Sequence, residues 1–494
     1  MSLLMGFPLP EEEPKPQTPD VMRAREAQRK WAQTELRHRL AVLRKTRHRI
    51  GGQALELART VPREQPGALH RSYADTLVAE VLPLAEACRF LEREAAAILA
   101  RQCVVTTSRP AWLRGVTTEI HRDPLGLILV VAPANYPLFL PGVQVLQALA
   151  AGNAVWWKPA PGGGAAAEAL RELLVESGLD PALLVILDDS AEAASAAISA
   201  GVDKVFFTGS STSGRAVSQQ LADHATPSVM ELSGCDAVFV LPDADQRRTI
   251  DALAFGLRLN GSATCMAPRR LFLVGDNSPR GSNFIARLLD KLQTLPTVPL
   301  SLATETLLSD LLEDAKQRGG AIIVDRTEDS LRCVVLLNAA PAMRIARTDI
   351  FAPVLSIFPM PDEREAIAAY EQCPFALTAS IFGPERKARA LGARITAGVV
   401  LINDLIVATA DPRVSFGGRK SSGYGVTRGR EGLLEMTAPK TILVQRGRSR
   451  RAYQPTTPEH EDFFCGYMKL AHGGGVRARM QGIRQFLRAA SKLK

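Results

Sequence analysis

The chain has 494 residues, 46% of them apolar and 22% charged, with a formal charge of +9. That length exceeds one simple core and predicts two or three domains, and the composition excludes a disordered or fibrous class. The positive charge suggests nucleic acid only until it is located. From Arg446 to Lys494 there are eleven Lys/Arg against three Asp/Glu, a balance of +8, so the body is near neutral and no nucleic-acid partner is expected.

Seven scattered cysteines without a CxxC pair fit a reducing compartment. Seven histidines without ligand spacing imply no metal. The first twenty residues are acidic and Pro-rich, read as a flexible arm. They lack an apolar core, which argues against a signal peptide and for a cytoplasmic location. Helical spacing follows over Val21–Ala58 and again over Ser72–Arg101, while Arg109–Asp123 reads as a polar β-ribbon. Leu125–Trp157 carries no charge and is long enough to span a bilayer. Pro133, Pro137, Pro141 and Gly152 break it, so it reads as strand 127–131, loop, helix 142–151 and strand 154–157.

Strand and helix then alternate: helix 164–176, strand 184–187, helix 191–200, strand 204–207, helix 215–224, strand 228–232. That alternation predicts a doubly wound parallel sheet. The pattern restarts near residue 236, with helix 250–259, strand 270–274, helix 282–294 and strands 321–324 and 334–337. The predicted fold is α/β: two doubly wound Rossmann-like domains plus a small β element for oligomerisation. The boundaries read as 21–235, 236–430, a return over 431–446 and a basic tail from 447.

Strand 204–207 runs into Thr208-Gly209-Ser210-Ser211-Thr212-Ser213-Gly214. Glycines at a strand-to-helix turn let the backbone approach a pyrophosphate, and the helix start favours its charge. The spacing is G-x-x-x-x-G, so an ordinary βα turn stays open as an alternative. Lys158, directly after an apolar strand, is placed to bond ribose hydroxyls or phosphate, although a surface lysine is equally ordinary there. Together they favour nucleotide binding.

Several motifs occur in order: Pro133-Ala-Asn135-Tyr-Pro137, Gly152-Asn153-Ala-Val-Trp-Trp-Lys158-Pro159, Phe207-Thr-Gly209-Ser210 and Glu231-Leu-Ser-Gly234. Asn260-Gly-Ser-Ala-Thr-Cys265, Asp349-Ile-Phe351-Ala-Pro353 and Ser415-Phe416-Gly-Gly418 with Ser422-Gly423 follow. Over residues 21–445 the chain resembles the aldehyde dehydrogenase superfamily. The resemblance implies NAD or NADP as cofactor, a small aldehyde as substrate, and a thiohemiacetal and thioester on Cys265. It implies Asn135 and the Cys265 N–H as oxyanion donors, and Glu231 as the base that activates water. For cofactor contacts it implies Lys158, Gly209, Ser210, Gly214, Asp349 and Phe351. The chemistry needs these types: a thiolate to make an adduct that still carries hydrogen, donors for the oxyanion, and a carboxylate to release acid. By itself, a lone thiol in an apolar segment is ordinarily a buried small hydrophobe.

Departures concern the cofactor. Pro161 stands three after Lys158, where NAD-preferring members commonly carry Glu, leaving NADP open. Asp349 replaces a Glu and is one methylene shorter. Ala134, Ser233 and Ala352 also differ, and the segment between Cys265 and Asp349 looks short. The resemblance further implies a homodimer or homotetramer, with Lys440–Gln445 pairing onto a neighbour's ribbon or sheet. Beyond Gln445 come a basic run (Arg446–Arg451), Pro455 and Pro458 as linker, and a basic amphipathic helix after Gly473–Gly475. That helix suits a membrane surface, a protein partner or the enzyme's own body. Two other functions remain at this point: a member that passes its thioester to coenzyme A, and a catalytically silent nucleotide-binding scaffold.

Overall fold

The computed structural model describes residues 20–63, 71–105, 107, 109, 110, 113, 115–275, 279–447, 453 and 455–493. Residues 1–19 of the predicted arm and most of the basic run lie outside them. The chain divides into two compact units: residues 1–101 with 121–440, and residues 102–120 with 441–494.

In the first unit, strands β1 (Leu127–Val131), β2 (Ala154–Lys158), β3 (Leu184–Ile186), β4 (Lys204–Thr208) and β5 (Ser228–Glu231) form a parallel sheet in the order β5-β4-β1-β2-β3. Leu127-Ile-Leu-Val-Val131 is buried throughout because helices cover both faces, which is why it reads as a continuous apolar run. A short strand, Gly423–Tyr424, pairs antiparallel with β5 and closes that edge. The chain winds outward from β1 to β3 and returns to β4, so the topological switch lies between the carboxyl ends of β1 and β4. Clefts in open α/β sheets form at that point.

A second, seven-stranded sheet uses β6 (Asp236–Val240), β7 (Pro268–Val274), β8 (Ala321–Arg326), β9 (Leu331–Leu337), β10 (Val354–Met360), β11 (Thr378–Phe382) and β12 (Val399–Ile402). Its order is β8-β9-β10-β7-β6-β11-β12, with only the β8–β9 pair antiparallel. Two separate apolar cores cover its faces, distinct from the core of the first sheet. Among the described residues, no helix is long and apolar enough to cross a membrane.

The helix expected at Arg215 begins at Ser211, because the Ser210 hydroxyl accepts from the Ser213 N–H at 3.1 Å and caps it. The polar Ser-Thr-Ser-Gly run is its first turn, not loop. The helix expected over Ser72–Arg101 spans Tyr73–Ile98 but contains one π-helical stretch, Leu77–Val81.

A three-stranded sheet in the order Gln102–Cys103, Val116–Pro124, Thr437–Gln445 has residues 102–120 and 441–445 in the second unit. The segment Lys440–Gln445, expected to pair with a neighbouring subunit, therefore pairs with the ribbon of its own chain. The unit also holds a helical hairpin, Glu459–His472 and Gly475–Lys492. The first of these helices was not expected, since Pro455 and Pro458 read as linker.

Candidate active site

The carboxyl ends of β1 and β4 open onto a cavity of about 650 Å³. Asn135, Thr208, Gly209, Ser210, Asp349 and Phe351 are among its lining, with Pro161 and Gly162 beside them. A second cavity of about 190 Å³ has walls that are almost wholly apolar, among them Val78, Phe139, Phe255, Met266 and Val407. Cys265, Glu231, Leu140 and Phe416 line both. The thiol and the carboxylate thus stand where a polar cavity and an apolar one meet.

Cys265 follows a tight turn in which Asn260, Gly261 and Ser262 all have φ between 53° and 66°. The turn is held from outside. Asn260 Nδ2 donates to the carbonyls of Asn135 (3.0 Å) and Ala263 (3.1 Å). Gly234, after β5, lets the turn approach, since a Cβ there would run into the carbonyl oxygen of Cys265. Burial pushes the Cys265 thiol up, and so do the carboxylates of Asp236, Glu231 and Asp349, while Arg428 opposes them.

Glu231 ends β5, in register with Thr208 of β4. It is 6% exposed. Burial raises its affinity for a proton, against the Arg428 charge and a hydrogen bond from the Thr427 hydroxyl. Asn135 uses one amide hydrogen on the Ala263 carbonyl at 3.0 Å, which leaves the other for a ligand.

A buried ion pair behind these groups was not legible in the sequence. Arg71 and Glu80, 5% and 0% exposed, are bonded to each other. Glu80 Oε2 accepts from the N–H groups of Leu138 (2.8 Å) and Phe139 (3.1 Å), capping the helix Phe139–Ala151. Arg71 donates to the Asn135 carbonyl (2.9 Å) and to Asn260 Oδ1 (3.2 Å). One salt bridge therefore ties the oxyanion candidate to the thiol's turn. Glu80 lies in the π-helical stretch, a feature frequent at functional sites.

Arg428 was also missed. It follows the Ser422-Gly423 motif with φ of 59° and is 5% exposed. Its guanidinium lies 4.4 Å from the Phe416 ring centre and donates to the Thr409 carbonyl at 2.7 Å, while its buried Nε has no partner. Among the described residues it is the one cation lining the apolar cavity.

Of the other expected contacts, Lys158 and Gly214 do not line the 650 Å³ cavity. Lys158 ends β2, and burial lowers its pKa against the nearby Asp189, Asp188 and Glu192. Gly214 lies inside the helix that starts at Ser211, where a Cβ would strike Leu232. Among the described residues, no group of three or more His, Cys, Asp or Glu could hold a metal.

Residues 17–442 match the aldehyde dehydrogenase family. The chain belongs to that family. It is accordingly an NAD(P)-dependent oxidoreductase acting on aldehydes. It is 30% identical over 413 residues to a 4,4'-diapolycopene aldehyde oxidase from Methylomonas, covering 81% of this chain and 77% of that one. The aldehyde dehydrogenase of Mycobacterium tuberculosis, solved with NAD+, superimposes with a TM-score of 0.78 at 24% identity, over 87% of this chain and 90% of that one. An NADP-dependent glyceraldehyde-3-phosphate dehydrogenase from Bacillus halodurans, solved with NADP, gives 0.77 at 24%, over 86% and 90%. At that identity the two structures speak for the fold alone.

Proposed function

We propose that this aldehyde dehydrogenase converts an apolar aldehyde to its carboxylic acid through a thioester on Cys265, hydrolysed by water that Glu231 activates. The observation that carries the reading is the meeting of the two cavities at Cys265 and Glu231. The apolar cavity suits the aldehyde's body. The larger one, at the switch point, suits a dinucleotide. The body around β1–β5 is assigned to the cofactor and the body around β6–β12 to the thiol.

The cofactor cavity fits its group. Asp349 Oδ1 is a buried acceptor without a partner, suited to a ribose hydroxyl. Gly209 and Ser210 precede a fourteen-residue helix whose start favours a pyrophosphate. When bound, the nicotinamide accepts the hydride from the substrate carbon. Either NAD or NADP satisfies these contacts.

In the reaction, Glu231 takes the Cys265 proton, the thiolate adds to the carbonyl carbon, and the second Asn135 hydrogen with the Cys265 N–H receives the oxyanion. Loss of hydride leaves a thioester. Once Glu231 has passed that proton to solvent, it removes one from water as the water oxygen bonds the acyl carbon, the C–S bond breaks with the thiolate leaving, and the acid departs. A carboxylate beside the thiol serves hydrolysis; transfer to coenzyme A needs no such base. Assembly as a homodimer or homotetramer belongs to this reading and rests on family resemblance, and a cytoplasmic location rests on the scattered cysteines without a CxxC pair.

The test is a panel of aldehydes with NAD or NADP, with and without coenzyme A, following reduced cofactor. Reduction with apolar aldehydes independent of coenzyme A is expected. Dependence on coenzyme A would overturn hydrolysis, and silence with every aldehyde would favour a scaffold.

A further inference from the structure

The C-terminal hairpin has one unusual face. The helices Glu459–His472 and Gly475–Lys492 spend one side on each other. Gly466 lies against the Phe486 backbone, Gly482 lies against Leu470, and the rings of Phe463 and Phe486 are 4.6 Å apart. Gln485 bridges to Asp462 (2.8 Å) and Lys469 (2.9 Å).

The second helix keeps another side free. At about 100° per residue, Val476, Met480 and Leu487 fall within roughly 40° of one another. They are 79%, 49% and 61% exposed. Arg477, Arg484 and Arg488 run alongside, about 80° round the helix. The helix has five Lys/Arg and no Asp/Glu, and no ion pair involves those cations among the described residues.

A stripe of this kind selects its surface. Nucleic acid would engage the guanidinium groups and leave Val476, Met480 and Leu487 wet. A lipid interface takes both, seating apolar side chains at the acyl boundary and Arg heads at the phosphates. We propose that the helix Gly475–Lys492 docks this chain on anionic lipid bilayers. The inference is independent of the reaction assigned above.

The experiment is co-sedimentation of the full chain with vesicles of phosphatidylcholine alone or with added phosphatidylglycerol, at low and high salt. Binding is expected only to the anionic vesicles, weakening as salt shortens the Debye length. Replacing Arg477, Arg484 and Arg488 together by Gln should weaken partition about a hundredfold, taking each cation's usual contribution at such a surface. Met480→Gln/Leu487→Gln should weaken it at least about tenfold. Both variants should oxidise aldehydes in solution like the wild type, which checks their folding.

Absence of binding to either vesicle would overturn the proposal, as would equal binding to neutral ones. So would a Met480→Gln/Leu487→Gln variant that binds unchanged, since only charge would then act. If that variant instead changed the sedimentation coefficient of the free protein, the stripe would be an interface between copies. Tight binding to poly-glutamate without vesicle binding would point to an acidic protein partner. Either of these results also overturns the lipid assignment.

Discussion

Replacing Arg71 by Leu tests how far the site depends on its buried ion pair. Glu80 would then hold a wholly buried carboxylate with only the Leu138 and Phe139 N–H groups as donors. Removing one partner of such a pair costs about 3–5 kcal/mol, because the remaining charge is uncompensated. Glu80→Leu should cost a similar amount, leaving a buried guanidinium and two uncapped N–H groups. The double variant removes both charges, so its loss should fall short of the sum by at least about 2 kcal/mol. The assay is urea unfolding followed by tryptophan fluorescence, since Trp156 and Trp157 are fully buried beside this core. Turnover measured below the transition should also fall in Arg71→Leu, because the Asn135 carbonyl loses a donor. Arg71→Leu within about 1 kcal/mol of wild type, or strict additivity in the double variant, would refute the argument.

Other outcomes follow from the same site. Cys265→Ala should abolish turnover yet quench on adding the dinucleotide as the wild type does, whereas Glu231→Gln should give one burst of reduced cofactor and stall; normal turnover in Glu231→Gln would unseat the base. Arg428→Gln removes the cation that opposes three carboxylates around the thiol, so iodoacetamide should alkylate Cys265 more slowly and along a profile moved to higher pH. Arg428→Lys should recover part of that shift, and an unchanged profile would leave Arg428 with packing alone. Burial raises the Asp236 carboxyl to about 7. The folded state then holds a proton that the unfolded state releases near pH 4. This contribution is full below that pH and is lost as pH rises through about 7. Asp236→Asn should therefore gain thermal stability relative to wild type between pH 5 and 8, and a pH-independent difference would contradict it.

Much of the parallel architecture was legible because strands buried on both faces must be apolar throughout, as Leu127–Val131 and Ala154–Trp157 are. Cys265, Glu231 and Asn135, which the structure brings to one cavity, could be singled out in the sequence as types that the proposed chemistry requires, in one order. Arg71, Glu80 and Arg428 were not. A single Arg or Glu defaults to the surface, and nothing in its own sequence neighbourhood reveals a partner sixty residues away or an aromatic ring beneath it. The start of the helix at Ser211 was hidden by residues that suit loops and helix caps equally. The first tail helix was hidden by Pro458, which sits at its N-cap, where the missing N–H costs nothing. Which strand Thr437–Gln445 would choose could not be read from its alternation, because pairing partners are set by tertiary placement.

The glycine at 234 sets a spacing as well as permitting a turn. Because the chain leaving β5 touches the carbonyl of Cys265, Glu231 and Cys265, the proposed base and nucleophile, are held at one separation by main chain against main chain. The walls of the apolar cavity come from side chains on several other segments. On the proposed reading, substitutions there would reshape the accepted aldehyde without moving Glu231 and Cys265 apart, so binding preference and bond-making geometry could be altered independently in this scaffold.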